Sequence, residues 1–162
     1  MLTEKKNNII VYIVSIGIAV ATGLISALIT MDSMDIYSSI NTPPLSPPSF
    51  LFPVVWTILF VLMGISSSII WINKENNIES AKKGLFFYAV SLAFNFLWSI
   101  FFFNNRWFLF SFIWLCALIF FIAATIYFYS KVSKKAAYLQ LPYLIWVCFA
   151  GYLNLGIYIL NG

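Results

Sequence analysis

The chain has 162 residues, of which 62% are hydrophobic and only 9% charged, with a net charge of +4. Soluble domains carry about 25% charged residues, and one of this size could not hide so much apolar surface behind so few charges. The basic residues form no cluster beyond three, which speaks against nucleic acid as a partner, and histidine is absent, which removes the commonest zinc ligand and the usual haem axial ligand. No metal site and no cofactor are expected.

Lys5 and Lys6 precede the first apolar run. Ala19-Val20-Ala21 resembles a signal-peptidase site, but the run continues to Ile29 without a polar break. The reading is a retained span over 8–30; cleavage would leave four helices. Ser15, Ala19, Gly23 and Ala27 recur every four residues, a small-residue stripe that permits close helix approach. Internal packing is its expected use, with a homodimer contact as the alternative.

Residues 31–49 form the one substantial connection. It holds Asp32 and Asp35, and Thr42-Pro43-Pro44-Leu45-Ser46-Pro47-Pro48 is its most restricted backbone. Proline fixes φ and pushes its predecessor to extended geometry, so this loop reads as a stiff cover. The second span is expected over 50–72, with Pro53 in its first turn, where the missing donor does little harm. Phe52, Trp56 and Phe60 fall on one face of it.

The third span is expected over 84–104, where Asn95, Trp98 and Ser99 are neighbours at three and four residues. Only Asn104-Asn105-Arg106 separates it from a fourth span over 107–129, so the two form an antiparallel hairpin. The fifth is expected over 137–160, with Tyr143, Trp146, Ala150 and Asn154 on one face. Cys116 and Cys148 lie inside apolar runs and read as small hydrophobes. Residues 1–162 are thus read as a single five-helix transmembrane domain, since lipid forces each span to satisfy its own backbone bonds.

The basic residues orient it. With five spans, Lys5, Lys6, Lys74, Lys82, Lys83, Lys131, Lys134 and Lys135 share one face, and only Arg106 lies on the other. Positive residues stay cytoplasmic. The N-terminus is expected inside, and the C-terminus and the Pro-rich loop outside. No charge lies inside a span, which disfavours pumps and ion-coupled transporters. No nucleophile with a histidine base, no paired carboxylates within a helix and no phosphate loop is present, so a conventional enzyme is not expected. What remains is aromatic: three helix faces of flat rings, two with an amide. Such walls suit a planar apolar ligand. The alternative use of Asn95 and Asn154 is to bond neighbouring helices. Trp71 and Trp107, near span ends, fit an interfacial belt.

Three blocks resemble the translocator protein family, also called tryptophan-rich sensory protein or TspO/MBR. They are Pro47-Pro48 with Phe50, Val55-Trp56-Thr57 and Met63-Gly64; Phe94-Asn95-Phe96-Leu97-Trp98-Ser99 with Phe102; and Leu141-Pro142-Tyr143-Leu144-Ile145-Trp146-Val147, continuing to Phe149-Ala150 and Leu153-Asn154. The resemblance implies a five-helix bundle whose first loop folds over a ligand cavity. It implies binding of porphyrins, other tetrapyrroles and isoquinoline- or benzodiazepine-type ligands. By motif position it points to Tyr37, Pro47, Phe52, Trp56, Phe60, Asn95, Trp98, Trp146, Cys148 and Ala150 as ligand-binding residues. Light-dependent porphyrin degradation is also attributed to bacterial members; the resemblance would assign that to Trp56 and Trp146. Many relatives have tryptophans in the first loop where this chain has Ile36 and Leu45. The aromatic-then-basic cholesterol pattern is absent, since no Lys or Arg follows Lys135. The leading expectation is a receptor or transporter of planar apolar ligands; the alternative is a porphyrin-degrading enzyme.

Overall fold

The structure is a computed structural model that describes residues 2–33 and 39–162. Among the described residues it contains five long helices and no strand. They are α1 (Leu2–Thr30), α2 (Leu51–Ile72), α3 (Ile78–Ser99), α4 (Phe108–Ser130) and α5 (Lys134–Asn161). The shortest have 22 residues, about 33 Å at 1.5 Å per residue, enough to cross a hydrocarbon layer of about 30 Å. All five are also apolar enough to span, so the chain is an integral multi-pass membrane protein.

Alternating direction brings the short connections together at two ends. At one end the α2–α3 turn meets the α4–α5 turn, where Asn76 Nδ2 donates to Val132 O at 3.5 Å. Asn77 caps α3 by accepting from Ser80 N at 3.0 Å, and Ser133 caps α5. Lysines crowd this end and set their ammonium groups over rings: Lys74 Nζ sits 4.4 Å from the centre of Trp71, and Lys131 Nζ 5.0 Å from that of Tyr127. At the other end Asn104 Nδ2 donates to Ile29 O at 3.2 Å.

Glycines set the close approaches. A Cβ on Gly64 would stand 2.5 Å from Ile16 Cα, and one on Gly23 would collide with the edge of the Phe60 ring. Within the α1 stripe, Ala19, fully buried, and Gly23 therefore pack inside the bundle. α4 is stapled to α3 by Trp114, whose Nε1 donates to Phe94 O at 2.8 Å while its ring stacks on Phe94 at 4.2 Å.

Two backbone features depart from the sequence reading. The third span starts at Ile78, six residues before 84, because Asn77 supplies a cap. It also does not end as an α-helix: Ile100–Asn104 winds as a π-helix, with Asn105 N bonded to Ile100 O at 3.1 Å. Arg106 then takes a left-handed φ of 56° to reverse the chain into α4. Leu45 is left-handed too, at φ 67°, in the turn closed by Ser46 N to Pro43 O. With Pro44 ahead of it, this has the form of a type II turn.

Candidate ligand cavity

The Pro-rich loop is fixed to α5 from 41 to 44. Pro43 is buried and rests where Gly156 lacks a side chain; a Cβ there would meet the Pro43 ring at 2.6 Å. Tyr152 Oη donates to Pro44 O at 2.8 Å. Asn161 then grips Asn41 twice, accepting from its N–H at 2.9 Å and donating to its carbonyl at 2.8 Å. A side-chain amide copies a peptide group here, so the loop gains a strand-like pair of bonds without a strand.

Beside this cover lies a cavity of about 470 Å³, within the size range of small-molecule sites. Its walls come from α1, α2 with the residues just before it, α3 with its π-turn, and α5; α4 contributes no lining residue among those described. The α2 wall is Phe52, Trp56 and Phe60, with the last two rings 5.6 Å apart and within 28° of parallel. The α3 wall is Asn95, Trp98, Ser99, Phe102 and Phe103, with Trp98 and Phe102 5.4 Å apart at the same angle. The α-helical spacing brings Trp98 and Phe102 into line; the wider π-turn adds Phe103. α5 supplies Ala150, Leu153, Asn154 and Ile157. α1 closes the fourth side with Val20, Gly23, Leu24, Ser26, Ala27 and Thr30.

The described lining carries no charged side chain. Its amides differ. Asn154 accepts from Trp98 Nε1 at 3.2 Å and donates to Phe108 O at 2.8 Å, so it joins α3, α4 and α5 and holds Trp98 in place. Asn95 is equally buried, but its Nδ2 has no partner.

Of the residues expected to bind a ligand, the structure brings Phe52, Trp56, Phe60, Asn95, Trp98 and Ala150 onto one cavity. Trp146 is not on the wall; it meets Phe52 edge-on at 6.1 Å and Phe149 at 5.6 Å. Cys148 is exposed on the outer side of α5, and Pro47 stands in the loop away from the lining. Tyr37, with Asp35 and Ile36, lies outside the described residues. Arg106 is exposed at the hairpin tip and is not a lining residue. Sequence reasoning missed Phe103, Ser26 and Ile157. Thr30 and Ser26 had a signal: they flank the small-residue face that Gly23 and Ala27 mark.

These features define a class: a multi-pass helical membrane protein with an aromatic cavity, uncharged in its described lining, beside a tethered loop. The chain belongs to the TspO/MBR family, whose model matches residues 15–160. It is 36% identical over 151 residues to the tryptophan-rich protein TspO of Chlorobaculum tepidum, covering 90% of this chain and 92% of that one. It is 38% identical over 156 residues to the protein of the same name from Archaeoglobus fulgidus, covering 95% and 99%. The translocator protein of Bos taurus is 36% identical over 118 residues, 73% of this chain and 70% of its own.

Proposed function

We propose that this chain is a membrane receptor or transporter that binds porphyrins and related planar apolar ligands in the aromatic cavity. The observation that carries the reading is the pair of near-parallel ring stacks, Trp56 with Phe60 on α2 and Trp98 of α3 with Phe102 of its π-turn, in a cavity of about 470 Å³ whose described lining is uncharged. Flat apolar ligands gain dispersion and burial on such faces, and few polar groups are needed to orient them. The names of relatives as translocator and sensory proteins support the same class of activity. Phe52, Trp56, Phe60, Asn95, Trp98 and Ala150 form the contact surface in this reading, with Trp146 bracing Phe52 from behind. The whole chain acts as one membrane domain.

The test is a titration with protoporphyrin in detergent, read by tryptophan fluorescence. Trp56→Ala removes a ring from the wall and should weaken binding roughly five- to a hundredfold, by analogy with ~1–3 kcal/mol for an aromatic stacking contact. Trp71→Ala and Trp107→Ala alter exposed rings near the helix ends and should bind as the parent does. Equal losses in all three would show partition into the micelle instead of a site.

A further inference from the structure

α1 and α2 run antiparallel and touch closely at Ile16 with Gly64 and at Gly23 with Phe60. Carrying that register on by a turn sets Leu24 and Ala27 across from Thr57 and Pro53. All four line the cavity and all four are exposed, Leu24 by 60%, as are the lining residues Ser49 and Phe50 just before α2. A residue that meets both the interior and the exterior marks a rim. The close α1–α2 contacts at Gly64 and Gly23 thus give way to this rim toward the loop end of the two helices.

The outer surroundings of the rim are apolar. Thr57 stands six residues past Leu51, about 9 Å along the helix at 1.5 Å per residue. Ile25 and Leu28 on α1, and Val54 and Ile58 on α2, flank it as exposed apolar side chains. The one rim hydroxyl needs no water, because Thr57 Oγ1 donates to Pro53 O at 2.8 Å. On the α5 side, by contrast, the loop is held down by Asn161, Tyr152 and the Pro43–Gly156 contact.

We propose that the cavity is loaded sideways from the bilayer, through a port between Leu24 and Ala27 of α1 and Pro53 and Thr57 of α2, and that it therefore takes neutral, membrane-dissolved planar ligands in preference to their ionised forms. This rests on the ligand reading above and adds its route and charge class. A neutral ring dissolves among acyl chains at the depth of the port. A carboxylate stays among the headgroups, since burying its charge in hydrocarbon or in a cavity without a cation is costly.

The experiment uses the full chain in phosphatidylcholine nanodiscs, with protoporphyrin dimethyl ester and the free diacid as probes. Stopped-flow tryptophan quenching reads association, and dilution into empty nanodiscs reads dissociation. Ala27→Phe and Thr57→Phe each place a ring across the rim. Both should slow entry and exit of the ester by about tenfold, the effect of one added barrier of ordinary size. Asn161→Ala, which loosens the loop, should leave both rates as in the parent. The parent should take up the ester faster than the diacid. The port is overturned if Asn161→Ala speeds exchange while the rim variants exchange at parental rates. Faster exit from both rim variants would make them plain wall contacts and overturn it as well. Uptake of the diacid as fast as the ester would overturn the charge preference. A parent that shows no saturable quenching by either probe would defeat the ligand reading, and the port with it.

Discussion

Gly64 and Gly151 both sit on buried helix faces, yet the space around them differs. A Cβ on Gly64 would stand 2.5 Å from the α-carbon of Ile16, a backbone atom that cannot move without shifting α1. A Cβ on Gly151 would meet nothing within 4 Å outside its own helix. Glycine in a helix interior costs about 0.5–1 kcal/mol relative to alanine. Gly151→Ala should therefore raise stability by up to about 1 kcal/mol. Gly64→Ala should cost about 1–3 kcal/mol as an overpacked contact. Thermal unfolding in a single detergent, followed by circular dichroism, compares the two. A stabilised Gly64→Ala would mean that α1 and α2 can part freely along their whole length. The same reasoning explains Gly23, where the missing side chain lets the Phe60 ring lie against α1 and complete the cavity wall.

At the scale of elements, the loop is bound to α5 as well as to itself. Among its described contacts, four reach α5: two bonds from Asn161 to Asn41, one from Tyr152 to Pro44, and Pro43 seated on Gly156. Each hydrogen bond contributes about 0.5–1.5 kcal/mol net. Asn161→Ala and Gly156→Ala should each free the loop, seen as several-fold faster protease cleavage within 39–50 while the helices stay intact. Cleavage at the parental rate in both would mean that the prolines alone hold the loop. Four-residue spacing made the α2 face legible in the sequence, and Phe52, Trp56 and Phe60 do share one wall. The same spacing did not set Trp146 apart from Ala150 and Asn154, because α5 has two occupied faces and periodicity does not say which one looks inward. Ala150 and Asn154 turn to the cavity, while Trp146 turns to Phe52. The π-turn had no signal either: Ile100-Phe101-Phe102-Phe103 suits an α-helix equally well. Its winding is imposed by the tight reversal into α4, where Trp107 N reaches back to Phe101 O at 3.1 Å.

For the whole molecule, the asymmetry of charge is the strongest feature, and it depends on the number of spans. Five helices place the α2–α3 and α4–α5 turns at one end, with Lys74, Lys82, Lys83, Lys131, Lys134 and Lys135. The start of α1, with Lys5 and Lys6, belongs to the same end. The opposite end has Arg106 as its basic residue, together with the loop and the tethering amide of Asn161. Lysine and arginine near span ends resist translocation, so the lysine end should face the cytoplasm, and the tethered loop and the C-terminal end of α5 should face outward. A reporter that works only outside the cytoplasm, fused after Gly162, should be active, and a cytoplasm-only reporter at the same site should be silent. The lysine end supplies the internal control. Replacing Lys74, Lys82 and Lys83 with Gln, and adding two lysines beside Arg106, removes most of the bias and should divide the population between the two reporters. Strong cytoplasmic signal from the native chain would reverse the orientation. It would also turn the loop, and the cavity it covers, toward the cell interior.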